Sequence, residues 1–158
     1  MFREMLRKNK QLSKEECIKV LCEQTRGVLS VCGEDGYPYG MPMNYYYDED
    51  GCVYFHTGRQ LSHRTDALRG CDKASFCVMD GGIKEEGDWA YIVRSVIVFG
   101  RVQIIDDRDT IVRIATKLSH KFTDDQAFIE KEIARFAAGT YLLKLTPEHI
   151  CGKRVKEA

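Results

Sequence analysis

What this chain lacks closes off several classes of function. No C-x-x-C pair occurs among its seven cysteines, at 17, 22, 32, 52, 71, 77 and 151. The number is odd, so neither a zinc framework nor a fully paired disulfide set is indicated. Several, such as Cys32 and Cys77, lie inside apolar runs where a free thiol packs as a small hydrophobe, and all are read as reduced and structural. No apolar run approaches the roughly 20 residues of a membrane-spanning helix. The opening, Met1-Phe2-Arg3-Glu4-Met5-Leu6-Arg7-Lys8, carries charge where a secretory leader needs an apolar centre, so the expected location is cytoplasmic, with no membrane partner. Charge of one sign is also missing: 24 basic and 24 acidic side chains cancel, so nothing global draws the chain to nucleic acid, and any anion site must be local.

Chemical motifs are equally sparse. No G-x-G-x-x-G follows a strand and no G-x-x-x-x-G-K-[ST] occurs, so the two commonest phosphate loops are absent. Neither a Ser/His/Asp order nor a carboxylate pair stands out for hydrolysis, and no close His/Cys cluster suggests a metal. What remains is a globular chain of 158 residues, 44% hydrophobic and 30% charged, sufficient for one compact domain over 1–158.

The pattern predicts mostly strands. Ser13-x-x-Glu16 is a capping box opening an amphipathic helix over about 14–25, with Gly27 as its stop. Val28–Cys32, the turn Gly33-Glu34-Asp35-Gly36, and an extended Tyr37–Tyr47 read as a hairpin. After the turn Asp48-Glu49-Asp50-Gly51, Cys52–His56 adds a third strand in a meander. Arg59–Arg69 places Leu61, Thr65 and Leu68 on one helical face, with Gly70 as a left-handed cap. Ala74–Met79 and Ala90–Ile105 return to strand, separated by a polar loop over Asp80–Asp88. The second of these strands is apolar enough at Val96-Ile97-Val98-Phe99 that both faces are expected to be covered, one by a subunit contact.

A helical stripe at Ile111, Ile114, Ala115 and Leu118 precedes a second capping box, Thr123-x-x-Gln126, and a helix through Phe136. Thr140–Leu145 closes the pattern before Pro147. About six strands joined by short turns point to a mainly β fold, an antiparallel barrel with helices outside.

Two anomalies could carry chemistry. His56, Arg59, His63, Arg64 and Arg69 crowd together with Asp66 as the only acid. A helix starting near Arg59 would aim its free N–H groups at the strand end bearing His56 and Thr57, where Arg64, Ser62 and Thr57 could hold a phosphate. The same pattern also fits a solvated basic helix with a satisfied His56. The second anomaly is Pro42 within Gly40-Met41-Pro42-Met43-Asn44-Tyr45. Proline cannot donate to a ladder, so this strand is an edge, bulged, or set against a flat heterocycle that Asn44 could read, with Tyr45 or Tyr47 nearby. Trp89 and Tyr91 are read as core or interface anchors, His120 as structural at a helix end, and His149 as part of a polar tail.

In order along the chain, Gly33–Tyr45, Val53-Tyr54-Phe55-His56, Ser62-His63-Arg64-x-x-x-Leu68-Arg69 and Ser95–Arg101 together resemble the pyridoxamine 5′-phosphate oxidase-like flavoprotein superfamily, specifically its nitroimidazole-resistance branch. The resemblance implies a split β-barrel that binds FMN at a homodimer interface. It implies that Met41, Pro42, Met43, Asn44 and Tyr45 line the flavin ring and that His56, Thr57, Ser62, His63 and Arg64 hold the phosphate. Ser95 and Val96 would approach from the strand at the dimer contact. Relatives often carry Gly-His-Lys-Leu-Asp-Asn where this chain has Ser62-His63-Arg64-Thr65-Asp66-Ala67, and true pyridoxamine phosphate oxidases end in Arg-Leu-x-Pro, which this chain's Gly152–Ala158 does not match.

The function this implies is an oxidoreductase passing electrons from NAD(P)H to a small electron-poor substrate of nitroaromatic or quinone type, with His56 as the candidate proton donor. The alternative is a non-catalytic carrier, store or sensor of flavin, deazaflavin or haem on the same scaffold.

Overall fold

The computed structural model describes residues 1–60 and 62–157; Leu61, expected on a helical face, lies outside the described residues. A short 3₁₀ turn at Lys8–Lys10 precedes helix α1, Lys14–Glu23. Its capping box forms as expected, with Ser13 Oγ accepting from the Glu16 amide and the Glu16 carboxylate accepting from the Ser13 amide. Strands β1 (Arg26–Cys32) and β2 (Pro38–Asn44) make the expected hairpin, paired without interruption from Arg26↔Asn44 to Cys32↔Pro38. Gly27 is therefore a strand residue rather than a helix stop. The Phe76 ring and the Cys77 carbonyl lie 2.5 and 2.6 Å from where its Cβ would be, so only glycine lets the strands approach.

The predicted three-strand meander breaks at Tyr45. Its ring is fully buried edge-on to Phe76, and its hydroxyl donates to the Leu21 carbonyl at 2.8 Å. Beyond that anchor, β3 (Tyr46–Tyr47) pairs with β4 (Val53–Gly58) at the opposite edge of the sheet. Helix α2 runs from His63 to Gly70, later than expected, because Ser62 and Thr65 form its capping box. Gly70 is helical and has no positive φ; the extended Cys71 ends the helix.

Strands β5 (Lys73–Met79), β6 (Ile83–Lys84), β7 (Tyr91–Ile105) and, after the helices, β8 (Thr140–Glu157) complete the sheet. Two expectations shorten the strands too far. The 80–88 loop contains β6, paired with β7, and β8 continues well past Pro147 because a bulge at Phe99/Gly100 absorbs the irregularity. His149 thus belongs to a strand, not to a polar tail. Helices α3 (Arg108–Ser119) and α4 (Gln126–Phe136) lie between β7 and β8 in the chain, and α4 is capped by Asp125 rather than opened by Thr123.

The antiparallel order is β2-β1-β5-β7-β8-β4-β3, with β6 on the side of β7, and the sheet curls until β2 comes near β4. This is the expected antiparallel barrel, left split. Its interior packs Leu29, Phe55, Phe76, Val96 and Val98 against α1 and α2, while Tyr54, Leu142 and Ala137 pack outside against α3. On β7 only the inward residues Val96, Val98, Gly100 and Val102 are buried; Ile97 and Phe99, facing out, are half-buried. No described helix is long and apolar enough to cross a membrane.

Candidate functional site

The split between β2 and β4 holds three connected pockets. The middle one, about 460 Å³, is lined by Arg26, Pro42, Met43, Asn44, His56, Thr57, Gly58 and Arg64. Thr57, Gly58 and Arg64 also line a second pocket of about 430 Å³, shared with Arg59, Gln60, Ser62 and Gly139. Asn44 and His56 open into a third of about 230 Å³, walled by α3, α4 and the turn between them through Ile111, Leu118, Phe122, Ile133 and Phe136. Each wall follows from the fold: β2 is an edge strand, so Pro42 costs no ladder bond on its open side, and β4 ends where α2 begins.

Arg64 is the electrostatic centre. Its Nε is buried and has no hydrogen-bond partner, and its Nη1 reaches only the Met43 sulfur, at 3.6 Å. Arg64 as a whole is half-buried, and a buried N–H left without an acceptor is costly and suits an incoming anion. Among the described residues, no acid lines either pocket that Arg64 borders. The first turn of α2 faces the same space. Ser62 Oγ caps the Thr65 amide and the Ser62 carbonyl takes the Asp66 amide, so those bonds leave the His63 and Arg64 amides out.

The rest of the predicted basic patch is less free than its composition suggests. Arg59 is paired with Asp106, 47 positions away, and lies over the Tyr141 ring at 4.5 Å; Arg69 pairs with Asp66. His63 stacks on Tyr39 at 4.4 Å and is not among the lining residues. His56 presents its surface to the pockets yet stands within a dense surround of protein atoms. Desolvation first, and then the charge of Arg64, hold its pKa below the ordinary histidine value.

The structure thus brings Pro42, Met43, Asn44, His56, Thr57, Ser62 and Arg64 together. Other predicted positions point elsewhere. Met41 and Tyr45 are core residues: Met41 is buried in the barrel interior, and the Tyr45 hydroxyl is spent on Leu21. Val96 is fully buried inside the barrel, and Ser95 lies on the outer sheet face opposite Met79 and Lys153. Trp89 is 72% exposed, so it is no part of this chain's own core. Sequence reasoning missed Arg26, whose Nε donates to Asn44 Oδ1 at 3.3 Å and orients that amide, and the whole α3/α4 wall.

Among the described residues no group of three or more His, Cys, Asp or Glu is arranged to hold a metal. The donors present instead fit a phosphate beside Arg64 and a flat polar ring beside Pro42–Asn44.

Comparison with known proteins gives the family and the fold. The family model described as pyridoxamine 5′-phosphate oxidase matches residues 13–154. A provisionally named 5-nitroimidazole antibiotic resistance protein from Bacteroides thetaiotaomicron superposes with a TM-score of 0.74 at 16% identity, covering 92% of this chain and 87% of that one. A protein from Mesorhizobium loti named as FAD-binding gives 0.64 at 22% identity, with 92% and 97% covered. One from Mycobacterium smegmatis named as binding FAD and haem gives 0.72 at 19%, with 94% and 74% covered. A search of curated proteins by sequence gave no match.

Proposed function

Because the chain belongs to the pyridoxamine 5′-phosphate oxidase family, we propose that it is an FMN-dependent oxidoreductase that passes electrons from NAD(P)H to a small, flat, electron-poor substrate such as a nitroaromatic or quinone. The observation that carries this reading is the buried, unpartnered Nε of Arg64 in acid-free pockets beside the Pro42–Asn44 edge. Flavin-named neighbours support it: two of the superposed proteins carry FAD-binding in their names. Arg64 and the start of α2 together offer one anion site, which suits the single phosphate of FMN.

Bound there, the flavin supplies hydride or single-electron transfer. The protein's own part is binding, orientation and proton handling. Arg64, with Thr57 and Ser62 beside it, would hold the phosphate. Asn44, held by Arg26, offers an oriented amide to the polar edge of the ring. His56 lines both the ring pocket and the apolar cavity, so its imidazole would donate a hydrogen bond to a bound substrate through its N–H and accept one at its other nitrogen.

The working unit in this reading is a homodimer. The pairings Pro42↔Val28, Val28↔Cys77, Cys77↔Ile97 and Ile97↔Cys151 form one row across the outer face of the sheet, starting at the ring pocket. Val28 and Cys77 are exposed on it and Ile97 is half-buried, with Met79 63% exposed nearby. A second copy laid over this row would bury it and reach the edge of the site. Phe2 already covers part of the same face, 5.7 Å from Phe99 and 4.8 Å from His149 between ring centroids.

Anaerobic mixing of the FMN-loaded protein with NADH or NADPH tests the activity. Bleaching of the flavin, followed by faster recovery when a nitroaromatic or quinone is added than in its absence, is the expected result. A flavin that stays oxidised with both nucleotides, or recovery indifferent to acceptor, would leave a carrier or sensor.

A further inference from the structure

We propose that the cavity beneath α3 and α4 selects a single aromatic ring bearing a cationic amine, with Glu132 as its counter-charge. The inference rests on the reading above in taking this cavity as the substrate side of the flavin site. Its size sets the first limit: about 230 Å³ exceeds the roughly 150 Å³ that accommodates benzene, leaving room for one substituted ring. Its walls set the second. Leu118, Ile133 and the rings of Phe122 and Phe136 are apolar, so the body of the ligand is a hydrocarbon or heteroaromatic ring.

Charge sets the third limit. Across the three connected pockets the lining cations Arg26, Arg59 and Arg64 all stand at the phosphate and ring end, and Glu132 is the only lining acid, in the α3/α4 cavity. Glu132 is half-buried on α4 and forms no ion pair or hydrogen bond among the described residues. Arg135, three positions on, is drawn over the Phe136 ring at 4.8 Å instead. A half-buried carboxylate on an apolar wall is stabilised by an ammonium or amidinium group from a ligand. The half-exposed faces of Phe122 and Phe136 add cation–π attraction for the same group. An amine held at Glu132 leaves the ring's other end toward His56 and Asn44, the two residues the cavity shares with the flavin pocket.

Calorimetric titration of the full chain, with and without FMN, against benzylamine, benzyl alcohol and benzoate tests this directly. Benzylamine should bind about tenfold more tightly than benzyl alcohol, and benzoate more weakly than either. Glu132→Gln should bring benzylamine down to the affinity of benzyl alcohol while leaving benzyl alcohol unchanged. Equal affinities for benzylamine and benzyl alcohol in the unaltered protein, or a preference that survives Glu132→Gln, would overturn the proposal. Failure to bind FMN would count against the flavin reading alone, because the amine preference is measured without FMN as well.

Discussion

The Arg64 guanidinium finds only the sulfur of Met43, 3.6 Å from its Nη1, and leaves its buried Nε without an acceptor. Thioether sulfur is a weak acceptor. A buried N–H left without an acceptor has a cost, and an anion arriving at Arg64 relieves it.

Removing this group should therefore weaken FMN more than it weakens the fold. Arg64→Ala is expected to cost about 1.5 to 3 kcal/mol of FMN binding, the range for a charge-assisted hydrogen bond. Riboflavin, which lacks the phosphate, should bind the unaltered protein and the variant alike. Fluorescence titration with both ligands measures the difference.

Tyr45 makes the complementary case, since its hydroxyl is spent on the Leu21 carbonyl and its ring on Phe76. Tyr45→Phe should lower stability by about 1 kcal/mol and leave FMN affinity unchanged. Urea unfolding and the same titration report the two quantities separately.

Asp48 anchors the helix that roofs the apolar cavity. Its buried carboxylate accepts from Arg113 at 2.6 Å and from Lys117 at 2.7 Å, both on α3. Both cations are partly exposed, so Asp48→Ala should cost about 2 kcal/mol, below the figure for a fully buried pair. Urea unfolding measures the loss, and weakened benzylamine binding should accompany it as α3 loosens.

The pH dependence follows from His56. Desolvation and Arg64 depress its folded pKa below the ordinary 6.5, so between the two values the unfolded chain binds more protons. The stability this contributes is present above pH 6.5 and is lost as the pH falls through 6.5 toward the folded value. His56→Gln should flatten that part of the stability profile, and Arg64→Ala should move it toward higher pH on the folded side. Urea unfolding at a series of pH values checks both.

If two copies meet over the outer face, a charge at Ile97 should separate them. Ile97 is half-buried there and faces away from the barrel core, so Ile97→Asp should leave the fold intact. Sedimentation should then show a monomer, with weakened FMN retention.

Much of this was legible in the sequence because it is local. Apolar runs bounded by turn signals marked β1, β4 and β7, the Ser13-x-x-Glu16 box marked α1, and the same segments that stood out as anomalous, Pro42–Asn44 and His56–Arg64, meet at the split of the barrel. What escaped depends on contacts between distant positions. Gly27 looked like a helix stop because nothing local announces that Phe76 fills the space beside it. Arg59 looked free because Asp106 is 47 positions away. The α3/α4 wall carries an ordinary amphipathic pattern, and only the packing of α3 on Tyr54 and Leu142 brings Phe122, Ile133 and Glu132 to the pocket that His56 lines.

The most direct test of the central claim is the visible absorption spectrum of the protein after incubation with FMN and removal of free ligand by gel filtration. The account predicts a flavin band that elutes with the protein in near-equal amount and diminishes in Arg64→Ala. A colourless protein fraction, with all the FMN in the small-molecule fraction, would contradict it.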